Sequence, residues 1–168
     1  MMNALFLQQQ TSGPTIDRFV RLMCLASLLF SASLLFAQQK AVDGTWQMDA
    51  ARSKVADGRT LTLTIATGAD GVKMTIKTKR ADGQETTSEF TNKLDGKACE
   101  FDEGGHKSQL TMWYSGGALN ASKEKGPAND VTAMWKFEVS PDKLTMTMTI
   151  NHYEPAADDE TIVFTRKT

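Results

Sequence analysis

The chain has little cysteine, little histidine and no excess of charge. Two cysteines in 168 residues are too few for a disulfide scaffold. Nineteen basic residues against 20 acidic ones leave a formal charge of −1. That balance argues against a nucleic-acid-binding protein, which gathers a basic excess on one face. The two histidines, His106 and His152, stand at no metal-ligand spacing, and the chain contains neither H-x-x-x-H nor C-x-x-C; a metal site needs three or four converging ligands. A G-x-S-x-G elbow, a phosphate-binding glycine loop and a paired-carboxylate motif are also missing. No nucleophile–base pair can be assembled from what remains. The chain is therefore not expected to be an enzyme, and neither a cofactor nor a catalytic residue is assigned. With 40% hydrophobic and 23% charged residues, the composition is that of one folded globular domain.

One long apolar run is present. Leu22 to Phe36 carries no charge, and Arg18 and Arg21 stand just before it. A basic flank, a short apolar stretch and a small residue at Ala37 make the pattern of a secretory signal peptide. The run falls short of the roughly 20 apolar residues a spanning helix needs. Residues 1–37 are accordingly expected to be a cleaved signal peptide, leaving 38–168 as a single domain with no membrane span, exported to the periplasm or the medium. Only Cys99 would remain, so the exported domain must be held together by its core.

Past Ala37 the pattern is that of strands. Leu61, Leu63 and Ile65 alternate with threonines; Val72, Met74 and Ile76 alternate with Lys73, Thr75 and Lys77; Leu144, Met146, Met148 and Ile150 alternate with Thr145, Thr147 and Thr149. Such period-two alternation is that of antiparallel strands buried on one face. Asp-Gly pairs at 43–44, 57–58, 70–71, 82–83 and 95–96 supply the positive φ of tight hairpin turns. Ten strands are expected, near 44–49, 60–67, 72–79, 84–92, 97–102, 107–114, 117–124, 130–139, 143–150 and 160–166, with one helical turn around Ala50–Lys54. The connections are too short for parallel crossovers. Curling the sheet round its apolar face removes the exposed edges, so the expected fold is an all-β, antiparallel up-and-down barrel. A two-sheet β-sandwich is the runner-up.

Strand parity directs Met48, Met74, Met112, Met146 and Met148 inward, with Leu61, Leu63, Trp135, Phe137 and Phe164. Methionine adapts to irregular apolar shapes. Met74, Met112, Trp135, Phe137, Met146 and Met148 are therefore the candidate lining of a pocket for a small hydrophobic molecule; the same residues could equally fill a solid core. Cys99 shares the parity of Phe101 and reads as a small buried group. Glu85, Glu89 and Glu100 read as a solvated face, the histidines as solvated loop residues, and Trp113 as an exposed aromatic. Closing the barrel pairs the first strand with the last and brings Arg166 to Trp46. A cation–π contact is expected there, capping the closed end.

Gly44-Thr45-Trp46 on the first strand and Arg166 on the last resemble the calycin group, the lipocalins and fatty-acid-binding proteins. With Arg52-Ser53-Lys54 added, the opening resembles that of small exported bacterial lipocalin-like proteins, most of them without an assigned function. The resemblance implies a barrel that holds a small apolar molecule. Two departures limit it. Fatty-acid-binding proteins carry two helices between their first two strands, and residues 50–59 are too few for such a lid. Those proteins also bind the ligand carboxylate with Arg-x-Tyr on the final strand, whereas here Lys167 and Thr168 follow Arg166, so that role is not carried over. Two functions remain: an exported carrier of a small hydrophobic ligand, or a filled-core structural or protein-interaction module of the cell envelope. The oligomeric state is not legible.

Overall fold

Threonine-rich alternation produces a single antiparallel sheet rolled into a barrel. The computed structural model describes residues 40–167 apart from 56, 127 and 156; the expected signal peptide lies outside the described residues. A 3₁₀ turn, Lys40–Val42, leads into ten strands. These are β1 (Gly44–Met48), β2 (Thr60–Gly68), β3 (Gly71–Lys79), β4 (Glu85–Asn92), β5 (Cys99–Glu103), β6 (His106–Ser115), β7 (Ala118–Lys125), β8 (Asp130–Val139), β9 (Thr145–His152) and β10 (Glu160–Arg166). Their order in the sheet is β4-β3-β2-β1-β10-β9-β8-β7-β6-β5. The first and last strands pair, with Trp46 opposite Arg166 and Met48 opposite Phe164. One continuous sheet rules out the two-sheet sandwich. The fold is a ten-stranded antiparallel barrel of the lipocalin-like, calycin type.

The barrel is not fully laced. No ladder joins β4 to β5. The Asp-Gly cadence therefore divides: Asp70-Gly71 and Asp82-Gly83 turn hairpins, whereas Asp95-Gly96 lies in the link across this seam, Asp57-Gly58 in the β1–β2 link, and Asp43-Gly44 at the entry to β1, whose first residue is Gly44. β4 and β5 are joined by the six-residue link 93–98, with positive φ at Leu94 and Gly96, and form no ladder. Side chains take over. Phe90 and Phe101 meet edge to face at 5.3 Å. The Ser88 hydroxyl donates to the Asp102 carbonyl. Buried Asn92 donates from Nδ2 to Lys97 O at 3.2 Å and Leu110 O at 3.0 Å, and accepts from Leu94 N at 2.8 Å.

The turn expected at Ala50–Lys54 is present over residues 50–52, where the Arg52 N–H donates to Asp49 O at 3.2 Å. Asp49 Oδ1 accepts from the backbone N–H groups of Ala51 and Arg52, an Asx-type turn. Ser53 Oγ then accepts from Val163 N at 2.9 Å, and Lys54 resumes exchange with Thr161. The chain beyond β1 thus stays fastened to β10 through Ser53 and Lys54. Asp49 and Arg52 also form a 2.7 Å ion pair.

The core is one cluster of inward side chains. It contains Trp46, Leu63, Met74, Leu110, Met112, Phe137, Met146, Ile162 and Phe164, all completely buried. Among the described residues no buried side-chain nitrogen or oxygen lacks a hydrogen-bond partner. The outward threonine face carries the solvated pairs Lys73–Glu89, Lys79–Glu85 and Lys107–Glu100. Trp113, on that face, is half-buried rather than exposed.

Candidate functional site

The two ends of the barrel differ in what their inward side chains do. At one end, where the chain enters β1, Arg166 lies over the Trp46 ring with its guanidinium carbon 4.1 Å from the ring centroid. Its Nε donates to Lys143 O at 2.7 Å, Nη2 to Ala41 O at 2.9 Å and Nη1 to Asp43 O at 2.5 Å. Trp46 Nε1 donates to Val42 O at 2.7 Å. One arginine thereby ties the 3₁₀ turn, β1 and the β8–β9 turn together. A Cβ on Gly44 would stand 2.6 Å from Arg166 Nη1, and Gly44 has φ +128°. The glycine, the tryptophan and the arginine are one device: the missing side chain leaves room for the guanidinium.

The opposite end is a polar mouth. On eight strands the inward stripe ends here in polar residues: Arg59 beyond Leu61, Thr78 and Arg80 beyond Ile76, Thr86 beyond Ser88, Glu103 beyond Phe101, His106 beyond Ser108, Lys123 beyond Ala121, His152 beyond Ile150, and Glu160 beyond Ile162. With Asp57 and Gly104 these residues line a half-open cleft of about 360 Å³. A second depression of about 330 Å³ shares His106 and Lys123 as a wall and reaches Lys107, Lys125 and Glu154.

The mouth carboxylates are engaged. Glu160, almost completely buried, is paired with Arg59. Asp57 is paired with the same guanidinium at 2.9 Å. Burial works against the charge on Arg59, but the Glu160 and Asp57 carboxylates outweigh it and hold its pKa above the ordinary value. Burial likewise works against Asp57, yet the Arg59 backbone N–H and guanidinium hold it below the usual carboxylate range. Glu103 is paired with Lys123 at 2.8 Å, and the Lys123 ammonium lies 5.4 Å from the Phe101 ring centroid.

The six candidate lining residues, Met74, Met112, Trp135, Phe137, Met146 and Met148, all join the core cluster, and none of them lines either mouth depression. Below the mouth, edge-to-face contacts run from Phe90 to Phe101, from Phe101 to Trp135 at 5.5 Å and from Trp135 to Phe137 at 6.5 Å. Since β5 and β8 are not neighbours in the sheet, the Phe101–Trp135 contact crosses the barrel interior. His106 and His152 are strand-end residues of the mouth, not loop residues. The charged mouth was readable in principle, by continuing each apolar parity beyond its last apolar member. Cys99 is half-buried beside the seam, where burial pushes its thiol up. Among the described residues no group of three or more His, Cys, Asp or Glu could hold a metal ion. No described helix is long and apolar enough to cross a membrane.

No family model and no curated protein matches the chain. Solved structures do. Fatty-acid-binding protein 1 of Echinococcus granulosus is similar with a TM-score of 0.54 at 11% identity, over 77% of this chain and 99% of that one. The apo form of lipid binding protein 8 of Caenorhabditis elegans gives 0.56 at 10% identity, over 76% and 96%. An abundant heat soluble protein of Ramazzottius varieornatus gives 0.56 at 12% identity, over 76% and 96%. At these identities the likeness is one of fold.

Proposed function

We propose that the protein is an exported, non-enzymatic barrel that binds a small hydrophobic molecule in its interior, lined by Met74, Met112, Trp135, Phe137, Met146 and Met148. The observation that carries this reading is the methionine-rich interior of a barrel whose wall is unlaced between β4 and β5. Methionines re-pack around irregular guests at low cost, and an unlaced seam can yield without breaking a ladder. Fold likeness to a fatty-acid-binding protein and a lipid binding protein supports the same reading.

Native mass spectrometry of protein purified from its own envelope tests it, the expected result being a co-purified apolar ligand. A fluorescent apolar probe should bind, and Met148→Trp should block it. Export is tested by N-terminal sequencing, with a mature start expected near Gln38. The second reading is a filled-core module of the cell envelope, favoured by the aromatic chain that crosses the interior. On that reading the probe fails to bind and Met148→Ala costs about 2–5 kcal/mol.

A further inference from the structure

We propose that the mouth cleft is a binding site for an oxyanion, a phosphate or carboxylate group borne on a small polar molecule, held by Arg80, His106 and His152. The inference does not require the barrel interior to open.

The argument is an account of which charges in the cleft are already used. Every carboxylate lining it has a countercharge inside it: Asp57 and Glu160 have Arg59, and Glu103 has Lys123. The cations divide differently. Arg59 spends its guanidinium on two carboxylates. Arg80 makes one side-chain hydrogen bond, from Nη1 to Gln84 Oε1 at 3.0 Å, and no ion pair. The imidazoles of His106 and His152 form no hydrogen bond or ion pair with any described residue. What the cleft has left over is a guanidinium with N–H groups to spare and two imidazoles, each with a ring N–H to donate.

A guanidinium fork matches the paired oxygens of a carboxylate or phosphate, and such charge-assisted bonds are stronger than neutral ones. The three donors come from three parts of the wall, Arg80 beyond β3, His106 at the start of β6 and His152 at the end of β9. They line one cleft, so a group with several acceptor oxygens is the guest that uses them together. A neutral apolar guest would leave all three unused. The cleft volume of about 360 Å³ admits a small organic body alongside the anionic group.

The chain has only two histidines, which makes the test direct. Proton NMR of the imidazole C2–H signals would follow a titration of the full-length protein with phenyl phosphate, at fixed ionic strength because exposed charges are screened by salt. Both signals should move along one saturable curve, while benzyl alcohol, neutral and of similar body, moves neither. Arg80→Gln and, separately, His152→Gln should each weaken phenyl phosphate binding by about tenfold, as loss of a charge-assisted hydrogen bond implies. Both side chains stand at the rim, so the melting temperature should stay close to that of the parent. Benzoate run in parallel tells whether the cleft favours carboxylate or phosphate. Shifts that never saturate, shifts shared by benzyl alcohol, or an affinity unchanged in both variants would overturn the proposal. Failure of the apolar probe to bind the interior would leave these results untouched, because the two sites are read by different signals.

Discussion

The same inward parity ends in arginine at both ends of the barrel, and the two arginines do opposite things. Arg166 spends its guanidinium on three backbone carbonyls and an indole face. Arg59 spends its guanidinium on two carboxylates, so its neighbours at the mouth keep donors to offer. A charge at the end of an apolar interior closes it when it meets carbonyls and π-density. It builds a polar vestibule when it meets other charges, because each pair satisfies itself and frees the remaining groups for a guest.

Substitutions at the two ends can break this contrast. The largest loss is expected from Trp46→Ala, which empties the most voluminous fully buried position and should cost about 3–5 kcal/mol by chemical denaturation. Arg166→Ala comes next, at about 2–3 kcal/mol, since the charge-assisted bonds to the part-buried Ala41 and Asp43 carbonyls are lost. Its melting temperature should fall while phenyl phosphate still moves both histidine signals; loss of that response would mean that the ends are coupled. Arg59→Met should cost about 2 kcal/mol by leaving the Glu160 carboxylate enclosed without its partner, and here the histidine signals should shift even without ligand.

The smallest effect is one of acid. The folded-state pKa of Asp57 is held down, so its contribution is present above the unfolded carboxylate pKa and is lost as pH falls through the folded one. Urea midpoints measured from about pH 5 to about pH 2 should therefore decline, and less steeply in Arg59→Met. An identical decline in that variant would place the acid sensitivity elsewhere, for instance at Asp142, which Ser140 and the Leu144 N–H hold low at the opposite end.

Much of this was legible in the residues because sheet parity is a strict period of two. Alternating threonine gave the strands, and the shared parity of Trp46 with Met48 and of Phe164 with Arg166 carried the β1–β10 closure. The seam was not legible. Asp95-Gly96 looks like Asp82-Gly83, and their links, 93–98 and 80–84, differ by one residue, so nothing in the dipeptide or its spacing tells the seam from a hairpin. The mouth was overlooked for another reason. Parity is conspicuous only where side chains are apolar, and Arg59, Glu103, Lys123, His152 and Glu160 stand on the same stripes as the core without that mark.

The position of the seam also bears on how the chain finds its fold. The ladders within the sheet join strands adjacent in sequence, except one: β1 with β10. Closing that ladder brings together residues as far apart as Trp46 and Arg166, the greatest sequence separation of any ladder and so the slowest search. A circularly permuted chain, opened at Asp95-Gly96 and joined from the end of β10 to the start of β1, would turn this ladder into a hairpin and put its new ends at the gap that already exists. Every pairing would then be local, and the same barrel should assemble faster.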